Sequence, residues 1–299
     1  MSVKNNEYGI AELQDKMLDI LKHFITVCEK NKLQYWLAAG TCLGAIRHGG
    51  FIPWDDDLDV YMMREDYEKL WELEGNAVFD GHYKLCRTSK EKNYHHRVMQ
   101  IVDLNTTFIH SRSKDEDLEH GVYIDIMPLD ACPESRIQRF LQIVNAVFFS
   151  VFNIQCKPEY NGGKATGIIS AGTVFLLSIV KSPTARYKAW KCAEARMTRY
   201  PIQKCTHVKC ITSLFRELFR PFPKEWFGER KVPFEDIMAV VPSNAEAYCE
   251  ATYGDYMKLP PAEKRTVRHH TEFIDLNSSY LKYKGIYYLT DQNRRKGSI

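Results

Sequence analysis

Four aspartates fall within five positions of the segment WDDDLDVYMM, residues 54–63. From Asp57 onward, acidic and apolar residues alternate, which is the period of a half-buried β-strand. On such a strand Asp57 and Asp59 lie on the same face, with their Cα atoms about 7 Å apart. Two neighbouring carboxylates repel each other, and a hard divalent cation held by oxygen ligands removes that repulsion. The pattern therefore predicts a site for Mg²⁺ or Mn²⁺.

A solvated acidic turn is the simplest alternative, because most runs of like charge are exposed to water. This run, however, lies between Trp54 and a strand of leucine, valine and methionine rather than in a polar linker. An EF-hand is excluded, since it needs a loop glycine and a distal glutamate at offsets that the segment does not supply. The metal site is the favoured interpretation.

Asp125 lies in the middle of a second apolar segment, VYIDIMPLD, residues 122–130. A buried carboxylate without a partner is costly, so Asp125 requires a neighbouring cation or donor. The predicted metal ion would supply that partner. The alternative is a buried aspartate that caps a backbone turn.

Gly40 and Thr41 follow an apolar run, residues 36–39, that is typical of a buried strand, and precede a short helix ending at Arg47. A residue without a Cβ, next to the N–H groups that begin a helix, allows a phosphate to approach closely. An ordinary tight turn is the alternative. Arg47 and His48 are candidates to pair with phosphate oxygens, although His48 could instead pack in the loop.

The longer string GTCLGAIRHGGFIPWDDDLDV, residues 40–60, resembles the hallmark of the LicD family, which fukutin-type proteins share. Its Gly-Thr and Asp-Leu-Asp elements resemble the signature of the nucleotidyltransferase superfamily. A second block, VPSNAEAYCEATYGDYMKLPP at residues 241–261, is similar to the C-terminal block of LicD proteins. The resemblance implies an α/β fold with a nucleotidyltransferase-like core, a mixed sheet and a helical insertion.

The same resemblance implies a reaction and roles for the residues above. A phosphocholine-like group would move from a CDP-linked donor such as CDP-choline to a glycan or lipid-linked glycan, of lipopolysaccharide or teichoic acid type. Asp57, Asp59 and Asp125 would be the metal-binding and catalytic carboxylates, while Gly40 and Thr41 would bind donor phosphates. Choline, ethanolamine, glycerol and ribitol remain open as the transferred group, and no nucleic-acid partner is expected.

Two other functions compete with this one. The first is a true nucleotidyltransferase, which attacks the α-phosphorus of a nucleoside triphosphate and releases pyrophosphate. The second is an inactive scaffold that keeps the fold to bind a glycan or a membrane. The presence of all three aspartates argues against the scaffold.

The composition of the chain indicates the size of its core, its distribution of charge and its cellular compartment. The 299 residues, 44% of them hydrophobic, are enough for a large core. Residues 55–130 carry eighteen Asp/Glu against nine Lys/Arg, while residues 181–231 carry four against thirteen. Nine cysteines without regular spacing favour a reducing compartment. The N-terminal segment lacks an apolar signal core, so we expect a cytoplasmic protein, with the inner face of the membrane as the alternative.

The remaining patterns predict the organisation of the chain. We expect a core at 1–132 with the metal site, a helical insertion at 133–230, and a return to the core at 231–299. Uncharged runs at 140–156 and 165–180 favour two core helices, with a membrane-facing hairpin as the alternative. Further helices are predicted at 10–30, 64–74, 184–200 and 203–219, and a last helix is predicted to open with a capping box of Ser243 and Glu246 and to close at Gly254. Arg265, Arg268, His269 and His270 could meet phosphates or form a solvated loop.

Overall fold

The chain folds into two units, each of which contains both helices and strands. The structure is a computed structural model that describes residues 7–75, 79, 81–155, 164–213, 218–267 and 271–290. Unit 1 comprises residues 1–86, 100–127 and 225–299, and unit 2 comprises residues 87–99 and 128–224. The predicted α/β class with a mixed sheet is confirmed.

Unit 1 is organised around a sheet whose strand order is β1-β2-β6-β4-β3. The antiparallel pair β1–β2 places Trp36 opposite Tyr61, and β3 runs antiparallel to β4. Its elements, including two strands that continue across the unit boundary, are α1 (Ala11–Asn31), β1 (Trp36–Leu37), α2 (Ala39–His48), β2 (Asp59–Met63), α3 (Arg64–Trp71), β3 (Tyr83–Cys86), β4 (Met99–Asp103), β5 (Thr107–His110), β6 (Tyr123–Cys132), β9 (Glu229–Phe234), β10 (Ile237–Pro242), α7 (Ala245–Tyr253) and β11 (Thr271–Asp275).

Helix α1 confirms the predicted amphipathic helix and forms much of the core of unit 1. Its apolar residues recur every three or four positions, which gathers them on one side of a helix. Met17, Ile20, Leu21 and Phe24 are all buried there. Strands β9 and β10 form an antiparallel hairpin, and β11 pairs antiparallel with β5.

Unit 2 is mainly helical, with α4 (Arg136–Ile154), α5 (Lys164–Ile179), α6 (Pro183–Thr198) and the short strands β7 (His207–Lys209) and β8 (Phe222–Pro223). Phe149, Phe152, Trp190 and Met197 belong to its apolar core. Helix α4 is long and apolar enough to cross a membrane by length and composition, which alone is weak evidence, and 28% of that stretch is buried.

Three local predictions are wrong. The strand expected at residues 36–39 ends at Leu37, and α2 begins at Ala39, so Gly40 and Thr41 lie in its first turn. The helix expected at 203–219 does not form over residues 203–213, where the structure has a 3₁₀ turn, Ile202–Lys204, and β7; residues 214–217 lie outside the described residues. The expected capping box does not form, because the Ser243 hydroxyl donates to the carbonyl of Trp226 at 3.1 Å. The predicted basic residues Arg268, His269 and His270 lie outside the described residues.

Candidate active site

The acidic segment enters β2 with its side chains alternating between solvent and core. Asp57 and Asp59 are half-buried, whereas Leu58 between them and Asp56 before them are buried. The alternation begins before Asp59, the first residue of β2. Because side chains two apart on an extended chain share a face, Asp57 and Asp59 point to the same side, as the sequence predicts.

The start of α2 fixes the backbone of Asp59. The Asp59 N–H donates to Thr41 Oγ1 at 2.9 Å, and the Ala38 N–H donates to the Asp59 carbonyl at 2.9 Å. Thr41 is buried, with 3% of its surface exposed. Thr41 therefore links α2 to the acidic strand, and its proposed contact with a phosphate stays a prediction.

The two residues before Thr41, Ala39 and Gly40, have little conformational freedom. A Cβ atom at Gly40 would collide with the Asp55 carboxylate, so only glycine fits that position without displacing Asp55. Ala39 adopts φ +42°, a strained conformation for a residue with a side chain. Its N–H donates to the Tyr248 hydroxyl at 3.0 Å, which helps to hold that conformation. The backbone conformation at the start of α2 thus depends on tertiary contacts, which local sequence preferences would not produce.

Asp125 lies on β6, next to the acidic segment in the sheet. Its N–H donates to the carbonyl of Leu58 at 2.9 Å, so the two acidic segments are hydrogen-bonded neighbours. The side chain of Gln100, on β4, donates from Nε2 to Asp125 Oδ1 at 2.8 Å. Gln100 was not predicted as a site residue, although a glutamine within the apolar strand MQIVD was a signal that it has a buried polar partner.

Tyr123 lies within electrostatic reach of all three predicted carboxylates. Its hydroxyl lies 3.0 Å from Nε2 of His110. Burial raises the pKa of Tyr123 well above its usual value, and Asp125, Asp57 and Asp59 raise it further by their negative charge. Carboxylates from both segments therefore act on a single hydroxyl group. No motif in the sequence indicated a role for Tyr123 or His110.

These side chains suit a divalent cation in their chemistry. Carboxylate oxygens are the ligands that Mg²⁺ and Mn²⁺ prefer, and Asp57, Asp59 and Asp125 all lie near enough to Tyr123 to raise its pKa. Across the described part of the chain, however, no group of three Asp, Glu, His or Cys side chains is arranged to hold a metal ion in this conformation. Metal binding by Asp57, Asp59 and Asp125 therefore stays a prediction that rests on donor type.

Arg47 and His48 end α2, where Arg47 is half-buried and His48 is exposed. Arg47 donates from Nη1 to the carbonyl of Tyr256 at 2.6 Å. Burial, and secondarily the charge of Arg47, lowers the pKa of His48, which favours a neutral ring whose Nδ1 accepts from Arg47 Nε at 3.4 Å. The guanidinium of Arg265 lies 5.7 Å from the ring centre of Trp54. Three basic side chains thus lie in or close to residues 47–54, the connector that leads from the end of α2 to the acidic segment.

The hairpin between β9 and β10 holds that connector. Glu235, at the tip of the hairpin, accepts from the Phe51 N–H at 2.9 Å and donates its own N–H to the carbonyl of Gly49 at 2.9 Å. A Cβ at Gly50 would collide with the Glu235 carboxylate. The conformation between α2 and the acidic segment is therefore set by residues nearly two hundred positions away in the sequence.

A mixed α/β sheet with acidic side chains on two adjacent segments, next to a Gly-Thr helix start, is consistent with an α/β transferase fold. Residues 32–138, which contain Asp57, Asp59 and Asp125, match the model of the LicD/FKTN/FKRP nucleotidyltransferase domain. Residues 32–138 therefore carry a LicD-type domain, as the motifs of the chain predict.

Individual relatives extend this comparison. The chain is 29% identical over 272 residues to the lipopolysaccharide cholinephosphotransferase LicD of Haemophilus influenzae, a match covering 88% of this chain and 97% of that protein. It is 36% identical over 92 residues to an uncharacterized protein of Rickettsia prowazekii, covering 26% of this chain and 35% of the relative. It is 41% identical over 62 residues to the mouse ribitol 5-phosphate transferase FKRP, covering 20% of this chain and 13% of that protein.

Proposed function

We propose that this protein is a metal-dependent transferase that moves phosphocholine from CDP-choline to a hydroxyl group of a glycan or lipid-linked glycan. The observation that carries the proposal is the match to a cholinephosphotransferase over 97% of that relative's length. The match to a ribitol 5-phosphate transferase is limited to 62 residues. It supports transfer of a substituted phosphate but gives less support to ribitol as the transferred group.

The reaction would be an in-line displacement at the β-phosphorus of the donor. The acceptor hydroxyl oxygen forms a bond to that phosphorus, the bond from phosphorus to the oxygen of CMP breaks, and CMP leaves. Asp125 would accept the proton of the hydroxyl group. Mg²⁺ or Mn²⁺, when held by Asp57, Asp59 and Asp125, would offset negative charge on the attacking and leaving oxygens.

Two buried polar side chains support the positioning that this chemistry needs. Thr41 holds the backbone of Asp59, and Gln100 holds one oxygen of Asp125. Because both partners are buried, Thr41 restricts the backbone position of Asp59 and Gln100 restricts the orientation of the Asp125 carboxylate. In this proposal the backbone N–H groups at the start of α2, rather than the Thr41 hydroxyl, contact donor phosphates.

Arg47 and His48 would contribute to the same donor. A guanidinium has five N–H donors, and Arg47 uses one for the carbonyl of Tyr256 and one for His48, so its engagement with the protein is compatible with a phosphate contact. His48, whose pKa is lowered, would act as a neutral hydrogen-bonding group rather than as a cation. We also propose a cytoplasmic location, which the absence of disulfides among the eight described cysteines supports.

The test is to identify the nucleotide product. The purified protein would be incubated with CDP-choline, Mg²⁺ and a glycan or membrane extract, and the nucleotides separated. CMP that requires both metal and acceptor is the expected result, with CDP-ribitol in a parallel reaction to rank the two groups. Pyrophosphate released from CTP, with CDP-choline untouched, would instead identify a nucleotidyltransferase. No turnover of any donor, with every divalent metal and acceptor offered, would favour the inactive scaffold.

A further inference from the structure

Helix α4 exposes an apolar stripe on the side that faces away from the core of unit 2. Its exposed members recur at the three- and four-residue spacing that forms one face of a helix. Surface helices normally carry polar residues on that face, and a continuous apolar surface marks an interaction site. The α4 stripe consists of Ile137 at 73% exposed, Phe140 at 65%, Leu141 at 43%, Val147 at 47% and Phe148 at 38%.

The opposite side of α4 is packed into unit 2. Phe149 and Phe152 belong to the apolar core of the unit. The buried side chain of Gln142 donates to the carbonyls of Ala131 at 2.9 Å and Met197 at 3.0 Å. Because these contacts occupy one whole side of the helix, α4 cannot leave the unit to cross a bilayer without losing them. A helix packed on one side and apolar on the other is suited to lie on a membrane surface.

The charge of this region indicates what kind of surface it meets. Residues 135–193 contain eight Lys/Arg and one Asp/Glu. Arg136 and Lys181, just outside the apolar stretches of α4 and α5, are both exposed. An apolar helix face combined with an excess of basic residues is complementary to a bilayer with anionic headgroups. A second copy of this basic region would be repelled by the same charges.

We propose that the α4 stripe docks on anionic phospholipid membranes, with its aromatic and aliphatic side chains inserted at the boundary between headgroups and acyl chains. The exposed Phe175 and Ile179 of α5 enlarge the apolar surface of the same unit. This inference does not depend on the proposed reaction, since membrane docking requires neither donor nor metal. For the enzyme, docking would bring it to acceptors that are attached to lipid.

The experiment is vesicle flotation with the full-length protein. Vesicles of phosphatidylcholine alone would be compared with vesicles that also contain phosphatidylglycerol. The test variant replaces Phe140 and Phe148 by serine, which removes two aromatic anchors without opening the core. A matched control replaces Leu281 and Ile286, exposed to 64% and 61% in unit 1, by serine.

We expect the wild-type protein and the control to bind phosphatidylglycerol vesicles, and the test variant to bind at least about tenfold more weakly. Binding should fall at high salt and with neutral vesicles, because basic residues provide part of the attraction. Unchanged binding of the test variant, or no vesicle binding by the wild type, would overturn the proposal. A wild-type dimer in light scattering that the test variant lacks would assign the stripe to a second copy. Turnover of a soluble acceptor should be equal in all three proteins, which separates this test from that of the reaction.

Discussion

Thr41→Val tests directly whether α2 positions the acidic strand. Valine has almost the shape of threonine but lacks the oxygen that accepts the Asp59 N–H at 2.9 Å. Since Thr41 is only 3% exposed, water has little access to replace that oxygen. Leaving a buried donor without a partner costs about 1–3 kcal/mol of the free energy of unfolding. Thr41→Ser keeps the acceptor and removes one methyl group, at a cost of about 1 kcal/mol.

Activity should separate the two variants more clearly than stability does. A displacement of a catalytic group by about 1 Å can reduce the rate by about a hundredfold. We expect Thr41→Val to lower kcat for acceptor-dependent CMP release by about ten- to a hundredfold, while Thr41→Ser stays within about threefold of wild type. Urea unfolding would measure the stability of each variant alongside the kinetics. Equal kcat values for the two variants would refute the role of this hydrogen bond in positioning Asp59.

Three further predictions follow from the site. Asp57→Asn and Asp59→Asn should each abolish turnover without loss of fold, because removing one charge relieves the repulsion between the carboxylates. Mg²⁺ should raise the melting temperature of the wild type but not of these two variants. A wild type whose melting temperature does not respond to divalent metals, with donor present, would contradict the metal site. Gln100→Leu should lower kcat about 10–100-fold because it releases the Asp125 carboxylate, and steady-state kinetics with a Mg²⁺ titration would measure this. Asp125→Asn should not regain activity at higher pH, because it lacks the group that accepts the proton. Near-normal rates in either variant would remove that residue from the mechanism. Burial and the neighbouring arginine lower the pKa of His48 in the folded protein, so the unfolded chain binds the proton first below about pH 6.5 and the folded state loses stability as the pH falls. In urea unfolding, His48→Gln should therefore lose less stability than the wild type between about pH 7.5 and 5.5. An equal loss in both proteins would contradict the assignment.

The alternating burial of the acidic segment was predicted correctly because it depends on the local spacing of residues. Alternating acidic and apolar residues specify which side of an extended chain is buried, whatever the chain packs against. The structure accordingly buries Asp56 and Leu58 and leaves Asp57 and Asp59 half-buried. Helix α1 was predictable for the same reason, since its apolar spacing selects one helical face.

Local patterns failed where a distant residue supplied the decisive contact. Ser243 and Glu246 have the spacing of a capping box, but Glu246 forms an ion pair with Arg230 at 2.7 Å and the Ser243 hydroxyl bonds the Trp226 carbonyl. Residues 207–209 lie in a region with helical spacing, yet they pair as a strand with β6. In both cases a tertiary partner outweighed a local preference of modest energy.

The sequence by itself determined the chemistry available to this protein: a glycine–threonine step, paired carboxylates and a third carboxylate in an apolar strand, all within the residues that match the LicD-type domain. Only the tertiary structure decided which groups hold those residues, because hydrogen-bond partners across a sheet are distant in sequence and leave no period to detect. Gln100 beside Asp125, His110 beside Tyr123 and Glu235 beside the glycine connector are of this kind. The exposed stripe of α4 also became visible only in the fold, since an apolar helix indicates burial or an interface equally until its neighbours are placed.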